Sequence, residues 1–367
     1  MVSKIHDYKA RLLNFYQQHE VLVSICVFVL GFLFDLLTLG RIDDLINLVQ
    51  QAIYLILLGS LLICEIRIKF GTLTLSGRAK RFWEYHDLIV HFLFGSLLSI
   101  YTIFYYTSAS AFTSLIFILL LAGLMLANEV PKFQRLGLPA RVILYSICVL
   151  SYFSFIYPIL MGHVGWIPFW LGFLTSLIVM GMIWRFNFTD IKIKDHLKRN
   201  VLLPSIGIHL LFLIGYYTSF IPPVPVAVKK IGIYYHLEKN KGSYIGHHLK
   251  PFWKMWNKGS QDFNARPGDK IIVIVSIFSP SNFQDRVFLK WYYDDSVLGW
   301  TLQDNIPLSI LGGRDGGYRG FGTKLNFQSG DWKVIVETSD HREVGRIHFN
   351  VTPDDSTEPR EFKQDIF

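Results

Sequence analysis

Charged residues are scarce in this chain. They make up 17% of its 367 residues, and hydrophobic residues make up 51%. Soluble domains carry roughly 25% charged residues, so the composition excludes an ordinary soluble globule of this size. The apolar excess is concentrated before residue 222. This distribution indicates a membrane domain followed by a soluble domain.

Cysteine is also rare. Cys26, Cys64 and Cys148 all fall in apolar segments, and the region after Pro222 contains none. The C-terminal domain therefore needs no disulfide, and three scattered cysteines fit no metal-binding spacing. We predict neither a metal nor a cofactor. The first apolar segment lacks a small-residue cleavage site, which favours an uncleaved anchor over a removed signal peptide.

Seven long apolar segments precede Pro222. Each is near the ~20 residues that a helix needs to cross ~30 Å of hydrocarbon. The segments cover residues 21–39, 45–66, 87–106, 112–127, 140–160, 166–184 and 203–221. The run from Ser114 to Ala122 has no polar face, which is typical of a helix in lipid. The sequence therefore predicts an α-helical polytopic membrane domain with seven transmembrane helices.

Basic residues alternate between the connections of these segments. Sixteen of the seventeen Lys and Arg residues before Pro222 lie at the N-terminus or on every second connection, and Arg41 is the exception. Connections rich in Lys and Arg face the cytoplasm. The pattern predicts a cytoplasmic N-terminus and a C-terminal domain on the other side. The same pattern accounts for the pI of 9.2, because the excess of basic residues is spread over the ends of loops. We therefore expect no nucleic-acid partner.

The region after Pro222 has the pattern of β-structure. In residues 286–294, Val287, Leu289, Trp291 and Tyr293 share one face of a strand. Short strands at a spacing of about 10 residues with turn signals between them predict an all-β immunoglobulin-like sandwich. The predicted organisation is a cytoplasmic segment at 1–20, the membrane domain at 21–221, a linker and interface segment at 222–264, the sandwich at 265–352 and a polar, disordered tail at 353–367.

Four motifs in this region carry a family resemblance. They are Trp291-Tyr-Tyr, Tyr318-Arg319 with Thr323-Lys324, Gly330-Asp-Trp332-Lys-Val334 and Gly345-Arg-Ile-His-Phe349-Asn-Val351. Together they resemble the bacterial domain of unknown function 2914 over roughly residues 265–352. The resemblance implies a bacterial envelope protein, and therefore a sandwich in the periplasm and a membrane domain in the inner membrane. It brings no activity with it.

Ionisable residues inside the predicted helices are the first candidates for chemistry, because a charge at a helix centre costs about 2.5–3.5 kcal/mol on insertion scales. The candidates are Asp35, Asp87, His91 and His209. Asp87 and His91 lie four residues apart and share a helix face, and His209 lies at a depth similar to that of His91. Such a set can relay protons or bind a metal, or it can hydrogen-bond helices together. The sequence leaves these alternatives open.

The glycine-rich segment 312–322 is a candidate exposed binding loop, although it lacks the Gly-Lys-Ser/Thr ending of a phosphate loop. Its arginines can engage a carboxylate or a sugar. The candidate ligand-binding residues in and around it are Arg314, Tyr318, Arg319, Lys324, Trp291 and Trp332.

Three functions fit these observations. The leading hypothesis is an inner-membrane protein whose periplasmic sandwich binds or scaffolds an envelope protein or glycan, in contact with the lipid bilayer through its helices. The second is a membrane-embedded enzyme or transporter that uses the intramembrane Asp and His groups. The third is an envelope sensor. Because no nucleophile motif such as Gly-x-Ser-x-Gly occurs, the sequence favours binding over catalysis.

Overall fold

The chain divides into two compact units. A computed structural model describes residues 32–33, 37, 40–109, 112–130, 133, 136–187, 191–240, 243–250, 258–311 and 317–367. The first unit comprises Met1–Phe104, Ile116–Phe153 and Gly172–Ile214. The second comprises Tyr105–Leu115, Ser154–Leu171 and Gly215–Phe367. Helices dominate the first unit and strands dominate the second.

The described helices follow the apolar segments closely. They are α1 (Leu45–Lys69), α2 (Gly77–Trp83), α3 (His86–Ser108), α4 (Phe112–Asn128), α5 (Leu138–Met161), α6 (Trp166–Asn187), α7 (Ile191–Leu197) and α8 (Leu203–Tyr217). A π-helical turn at Lys198–Leu202 joins α7 to α8. Asp44 begins α1 by accepting the Ile46 N–H at 3.2 Å, because the first backbone N–H groups of a helix have no partner within it.

Five helical stretches among the described residues are long and apolar enough to cross a membrane. They are Leu45–Lys69, His86–Ser108, Leu138–Met161, Trp166–Asn187 and Ile193–Tyr217. Ser114–Asn128 is a shorter apolar helix at the place of the fourth predicted span. The first predicted span, with Asp35, lies outside the described residues apart from 32, 33 and 37. The described residues therefore contain five candidate spans, where the sequence predicted seven. Several long apolar helices indicate a membrane protein.

Close packing of α1 against α5 depends on a glycine. The Tyr145 hydroxyl of α5 donates to the Leu55 carbonyl of α1 at 3.1 Å. A Cβ added to Gly59 would lie 2.6 Å from that hydroxyl oxygen. Tyr152 makes a second link between the helices by donating to the Leu48 carbonyl at 3.4 Å. Small residues let apolar helices approach closely, and hydrogen bonds between helices then add to the packing.

The β region of the second unit contains three sheets. The strands are β1 (Ala227–Tyr234), β2 (His236–Asn240), β3 (Ser243–His248), β4 (Asp262–Ala265), β5 (Ile271–Phe278), β6 (Gln284–Asp295), β7 (Gly299–Leu311), β8 (Tyr318–Lys324), β9 (Gly330–Thr338), β10 (Glu343–Pro353) and β11 (Lys363–Ile366). Their order is β1-β5-β8 in one sheet, β4-β10-β9-β6-β7 in the second and β11-β3-β2 in the third. β4 runs parallel to β10, and the other described pairs are antiparallel.

One hydrophobic core joins the first two sheets. Val273 and Val275 of β5 belong to the same buried cluster as Leu289 of β6, Val334 of β9 and Phe349 of β10. Two sheets that bury their inner faces against each other form a sandwich. The predicted alternation is present, since β9 buries Trp332, Val334 and Val336 while the residues between them are half-buried. The C-terminal region is therefore rich in β-structure, as the alternation predicted.

Two segments differ from the sequence-based prediction. The predicted linker at 222–264 contains β1 to β4, and β1 pairs with the central strand β5. The tail predicted to be disordered contains β11, which pairs with β3. Charge pairing explains the ordered tail, because Arg266 contacts Asp354 and Arg360 contacts Asp269, each at 2.7 Å. A polar composition predicts disorder, but here the charged residues of the tail form ion pairs with the sandwich.

We expect Gly259 to be essential for the stability of the β region. Its φ is +68°, and an added Cβ would lie 2.1 Å from the Ile233 carbonyl oxygen. Gly268→Ala is the matched control, because Gly268 has a φ of +88° with open space around it. The control should cost about 1–2 kcal/mol for the left-handed backbone, and Gly259→Ala about 1–3 kcal/mol more for the clash.

Thermal unfolding of the full-length protein in detergent measures this difference. Equal unfolding temperatures for the two variants would contradict the close approach of Gly259 to β1.

Candidate functional site

An ion triad joins three helices of the first unit. Arg141 of α5 donates to Glu65 of α1 at 2.7 Å and also to Asp87 of α3. Arg141 is only 9% exposed. His86 lies beside the triad, with its Nε2 at 3.2 Å from Asp87 Oδ1 and its ring stacked on Trp83. A buried charge must be paired, so Arg141 fixes the mutual positions of α1, α3 and α5.

His91 occupies the next part of the same region. Its Nδ1 lies 3.2 Å from Asn128 Oδ1, and Asn128 Nδ2 donates to the His91 carbonyl at 3.1 Å. His91, Asn128 and Arg141 line one small cavity, together with apolar side chains such as Phe94. The structure thus brings Asp87 and His91 to neighbouring positions around Arg141. The hydrogen bonds found there connect helices.

His209 has different partners. Its Nδ1 lies 2.8 Å from the Ser205 carbonyl, its Nε2 lies 2.9 Å from the Ser176 hydroxyl, and its ring packs edge-on against Phe173. Because a carbonyl oxygen only accepts, Nδ1 carries the proton and Nε2 accepts from Ser176. The Nδ1 bond therefore lies within α8, and the Nε2 bond joins α8 to α6. Across the residues that the structure describes, no group of three or more His, Cys, Asp and Glu side chains could hold a metal ion.

The candidate residues of the sandwich have separate roles. Arg314 lies outside the described residues. Tyr318 and Arg319 begin β8, opposite Ile277 and Ser276 of β5. Lys324 ends β8, where it forms an ion pair with Asp304. These three residues lie on one strand, and the glycine-rich segment leads into it.

The two tryptophans among the candidates belong to the core. Trp291 is 0% exposed and Trp332 is 2% exposed. Trp332 stacks on Phe349, whose ring also meets Trp291 edge-on. Burial at this level leaves no ring face for a ligand. The prediction that Trp291 and Trp332 contact a ligand is corrected accordingly, because the same alternation that indicates a strand also directs these rings inward.

The turn between β6 and β7 presents an apolar surface that we did not predict. Val297 is 86% exposed, Leu298 77%, Leu302 51% and Trp300 38%. We call these four residues the apolar tip. Its signal in the sequence is Asp294-Asp-Ser-Val-Leu-Gly299, where two aliphatic residues occupy a turn that normally takes Gly, Asn, Asp or Ser.

Hydrogen bonds fix the conformation of this turn. Asp295 Oδ1 accepts the N–H groups of Val297 at 2.9 Å and Leu298 at 3.0 Å. These two bonds lower the pKa of Asp295, which stays ionised at neutral pH. Gly299 has a φ of +68°, which L side chains adopt rarely. The tip is therefore a defined structure.

The outer sheet face beside the tip is aromatic and basic. The Lys333 ammonium lies 4.1 Å from the centre of the Trp300 ring and 5.3 Å from that of Tyr292. Burial, and then the nearby Arg346, lower the pKa of Lys333. His348 packs edge-on against Trp300, and burial together with the positive charges of Arg346 and Lys333 lowers its pKa. His348 is therefore neutral at pH 7.

The opposite end of the sandwich contacts helix ends that belong to the same unit. Gly162, next to the end of α5, accepts the Gln284 N–H at 2.7 Å. Arg342 donates to the Ile221 carbonyl and its guanidinium lies 4.4 Å from the centre of the Tyr216 ring. Tyr216 in turn donates to Asp340 at 3.1 Å. The second unit thus has one end held by helix termini and another end formed by the apolar tip.

We expect Arg141→Met to destabilise the helical unit. The change leaves Glu65, whose side chain is 20% exposed, without its cation, while Asp87 is 59% exposed and can be hydrated. Breaking a buried pair costs about 3–5 kcal/mol, and the exposure of Asp87 places the result at the lower end. Adding Glu65→Gln should recover most of the loss.

Thermal unfolding in detergent tests this ranking, with Arg78→Met on the exposed helix α2 as the control. A single Arg141→Met variant as stable as the control would contradict a structural role for the triad.

The solved structures named here resemble this chain weakly. No curated protein matches it. An immunoglobulin-like protein from Pseudomonas aeruginosa is 12% identical with a TM-score of 0.21, over 35% of this chain and 98% of that protein. A Bifidobacterium adolescentis β-glucosidase is 10% identical with a TM-score of 0.20, over 37% of this chain and 18% of that enzyme. A Pseudomonas fluorescens alkylpurine DNA glycosylase is 10% identical with a TM-score of 0.22, over 85% of this chain and 100% of that enzyme.

These TM-scores assign neither a fold nor an activity to the chain. The family comparison is specific, since it matches residues 284–351, from the first residue of β6 into β10. That interval contains all four motifs named in the sequence analysis. Residues 284–351, in the C-terminal region of this chain, therefore match the family described as protein of unknown function (DUF2914).

Proposed function

We propose that this chain is a multi-pass protein of the bacterial inner membrane that presents its β-sandwich in the periplasm to bind or scaffold an envelope partner. In this proposal seven helices span the bilayer and the N-terminus is cytoplasmic. The sandwich acts as the binding module, and the helices hold it at the membrane surface.

The composition of the two units is the observation that carries the proposal. The second unit contains the β region together with Tyr105–Leu115 and Ser154–Leu171. Those two connections contain no Lys or Arg. The basic connections at 67–81, 132–141 and 185–199 all belong to the first unit. Positive charge marks the cytoplasmic side, so the grouping of the chain in space and its charge pattern support the same orientation.

The contacts at the helix termini support a presenting role. Gln284, at the start of β6, is hydrogen-bonded to Gly162, and Arg342, at the β9–β10 turn, is bonded to Ile221. Burial lowers the pKa of Arg342, and the carbonyl and the Tyr216 ring compensate its charge. A domain held through two separate turns has a defined direction with respect to those termini.

A second candidate function is a membrane-embedded enzyme or transporter. The observation in its favour is that Arg141, which is paired with Glu65 and Asp87, lines one small cavity together with His91. Intramembrane ionisable groups mark transport paths and proton relays in many proteins. The contacts described above use these groups to join helices, which is why binding by the sandwich ranks first. An envelope sensor would use the Arg342–Tyr216 contact to couple the sandwich to α8.

We expect alkaline phosphatase fused after Phe367 to be active in cells, because the enzyme folds only where its disulfides form. A fusion within the basic connection at 67–81 should be inactive, and equal amounts of both fusions should be present. An inactive fusion after Phe367 would contradict the orientation and the proposed function with it.

Two sets of variants separate the candidate functions in cells that have a growth or envelope phenotype when the chain is deleted. Removal of residues 227–367 should abolish function, since β1 is part of the sandwich. Asp87→Asn, His91→Gln and His209→Gln should retain function at normal protein levels, because amide side chains still hydrogen-bond. Loss of function in these three variants would favour the membrane-embedded enzyme or transporter.

A further inference from the structure

We infer that the apolar tip is the docking site for a second protein, whose surface offers an apolar pocket bordered by Lys or Arg side chains. The inference rests on the proposed function, because it names the class of partner for the same sandwich. Four observations within the second unit support it. They are the distance of the tip from the helix termini, the fixed conformation of the turn, the concentration of exposed apolar side chains at the tip and the charge of the turn.

The tip lies far from the helix termini of its own unit. β6 begins at Gln284, whose N–H is bonded to Gly162, and it ends at Asp295. Strands rise about 3.3 Å per residue, so the 12 residues of β6 place the tip roughly 35 Å from Gly162. The tip is therefore well separated from the contacts that this unit makes with its own helix termini.

The tip is preorganised for binding. Asp295 holds the two N–H groups of the turn, at Val297 and Leu298, and Gly299 completes it in the left-handed region. Ordering a loop on binding lowers affinity, and a turn that is already ordered avoids that loss. A turn with exposed aliphatic side chains and an internal carboxylate cap is suited to insertion into a pocket.

Exposed apolar surface is concentrated at the tip. From residue 222 onward, the described large hydrophobic side chains with high exposure are Val297, Leu298, Trp300, Leu302, Phe321, Leu325 and Ile366. Four of these seven fall within six residues of the chain. Single exposed apolar residues are common, whereas contiguous apolar surface marks interaction sites. Tryptophan is also enriched among the residues that dominate binding energy.

Charge defines the partner. Residues 294–302 contain Asp294 and Asp295 and no basic residue, and Asp295 is ionised at neutral pH. Peripheral apolar segments that bind lipid combine apolar residues with Lys and Arg. Lys333 lies on the sheet face behind the turn, 4.1 Å from the centre of the Trp300 ring. At the turn itself, the two acidic residues oppose an anionic lipid surface and complement a basic rim on a protein. The favoured occupant is thus a protein pocket with Lys or Arg at its border.

The same charges disfavour a second copy of this chain. Two tips in contact would bring Asp294 and Asp295 of both copies together, and like charges across an interface cost several kcal/mol. Pairing through β7, the outer strand of its sheet, is also restricted. Pro307 offers no N–H in the middle of β7, and its pairing with β6 is irregular at Trp291 and Tyr292.

A photoreactive p-benzoylphenylalanine at position 298 of the full-length chain tests the inference in living cells. The matched control carries the same group at Leu325, which is 69% exposed on another part of the β region. We expect one discrete protein adduct at position 298, identified by mass spectrometry, and its absence at position 325. Asp294→Lys should reduce the adduct at position 298 strongly.

Binding of the identified protein to the full-length chain in lipid nanodiscs provides the affinity test. Val297→Ser with Leu298→Ser should weaken binding by ~tenfold or more, whereas Leu325→Ser should leave it unchanged. The double variant keeps both backbone N–H groups, so the turn is retained and can be checked by unchanged thermal unfolding.

Three results would overturn the inference. The first is an adduct of twice the mass of this chain. The second is an adduct with lipid, or binding to vesicles of phosphatidylethanolamine and phosphatidylglycerol that the double variant loses. The third is equal labelling at positions 298 and 325. An active alkaline phosphatase fusion combined with any of these results would reject the tip as docking site while leaving the proposed function intact. An inactive fusion would reject both.

Discussion

The apolar layer of a bilayer offers no water to backbone N–H and carbonyl groups, and this constraint governs the architecture of the first unit. Its helices satisfy their own backbones, and hydroxyl groups such as that of Thr102 bond to carbonyls one turn earlier. The Tyr145 hydroxyl reaches a carbonyl of the neighbouring helix. Arg141, in the first turn of α5, is paired with two carboxylates. These polar contacts serve the packing of helices.

In the proposed function, recognition belongs to the sandwich, where water can solvate whatever a partner leaves uncovered. One end of the second unit is fixed by hydrogen bonds from Gln284 and Arg342 to helix termini. The other end carries exposed aliphatic side chains on a turn that Asp295 holds rigid. A 12-residue strand, β6, connects these two ends. The family model matches this chain from Gln284, the first residue of that strand.

The sequence predicted those features that depend on periodicity. Long apolar runs predict helices, and the alternation of Val287, Leu289 and Trp291 predicts a strand. Both predictions depend only on the directions in which side chains leave a helix or a strand. Prediction from the sequence failed for features that depend on contacts between residues distant in the chain. The polar tail is ordered because Arg360 meets Asp269, a pairing between residues distant in the chain. The role of Trp291 and Trp332 was misassigned because composition does not distinguish an aromatic core from an aromatic binding surface. The apolar tip was missed because exposure at a turn depends on what packs beside it.

The central claim is that the sandwich and the basic connections lie on opposite sides of one membrane. Single-cysteine labelling measures this most directly, in a variant from which Cys26, Cys64 and Cys148 have been removed. Ser296→Cys, at the apolar tip, and Ser76→Cys, in the first basic connection, are compared in spheroplasts with a membrane-impermeant maleimide. The account predicts that Ser296→Cys reacts in intact spheroplasts and that Ser76→Cys reacts only after lysis. Labelling of Ser76→Cys in intact spheroplasts, with Ser296→Cys protected until lysis, would contradict it.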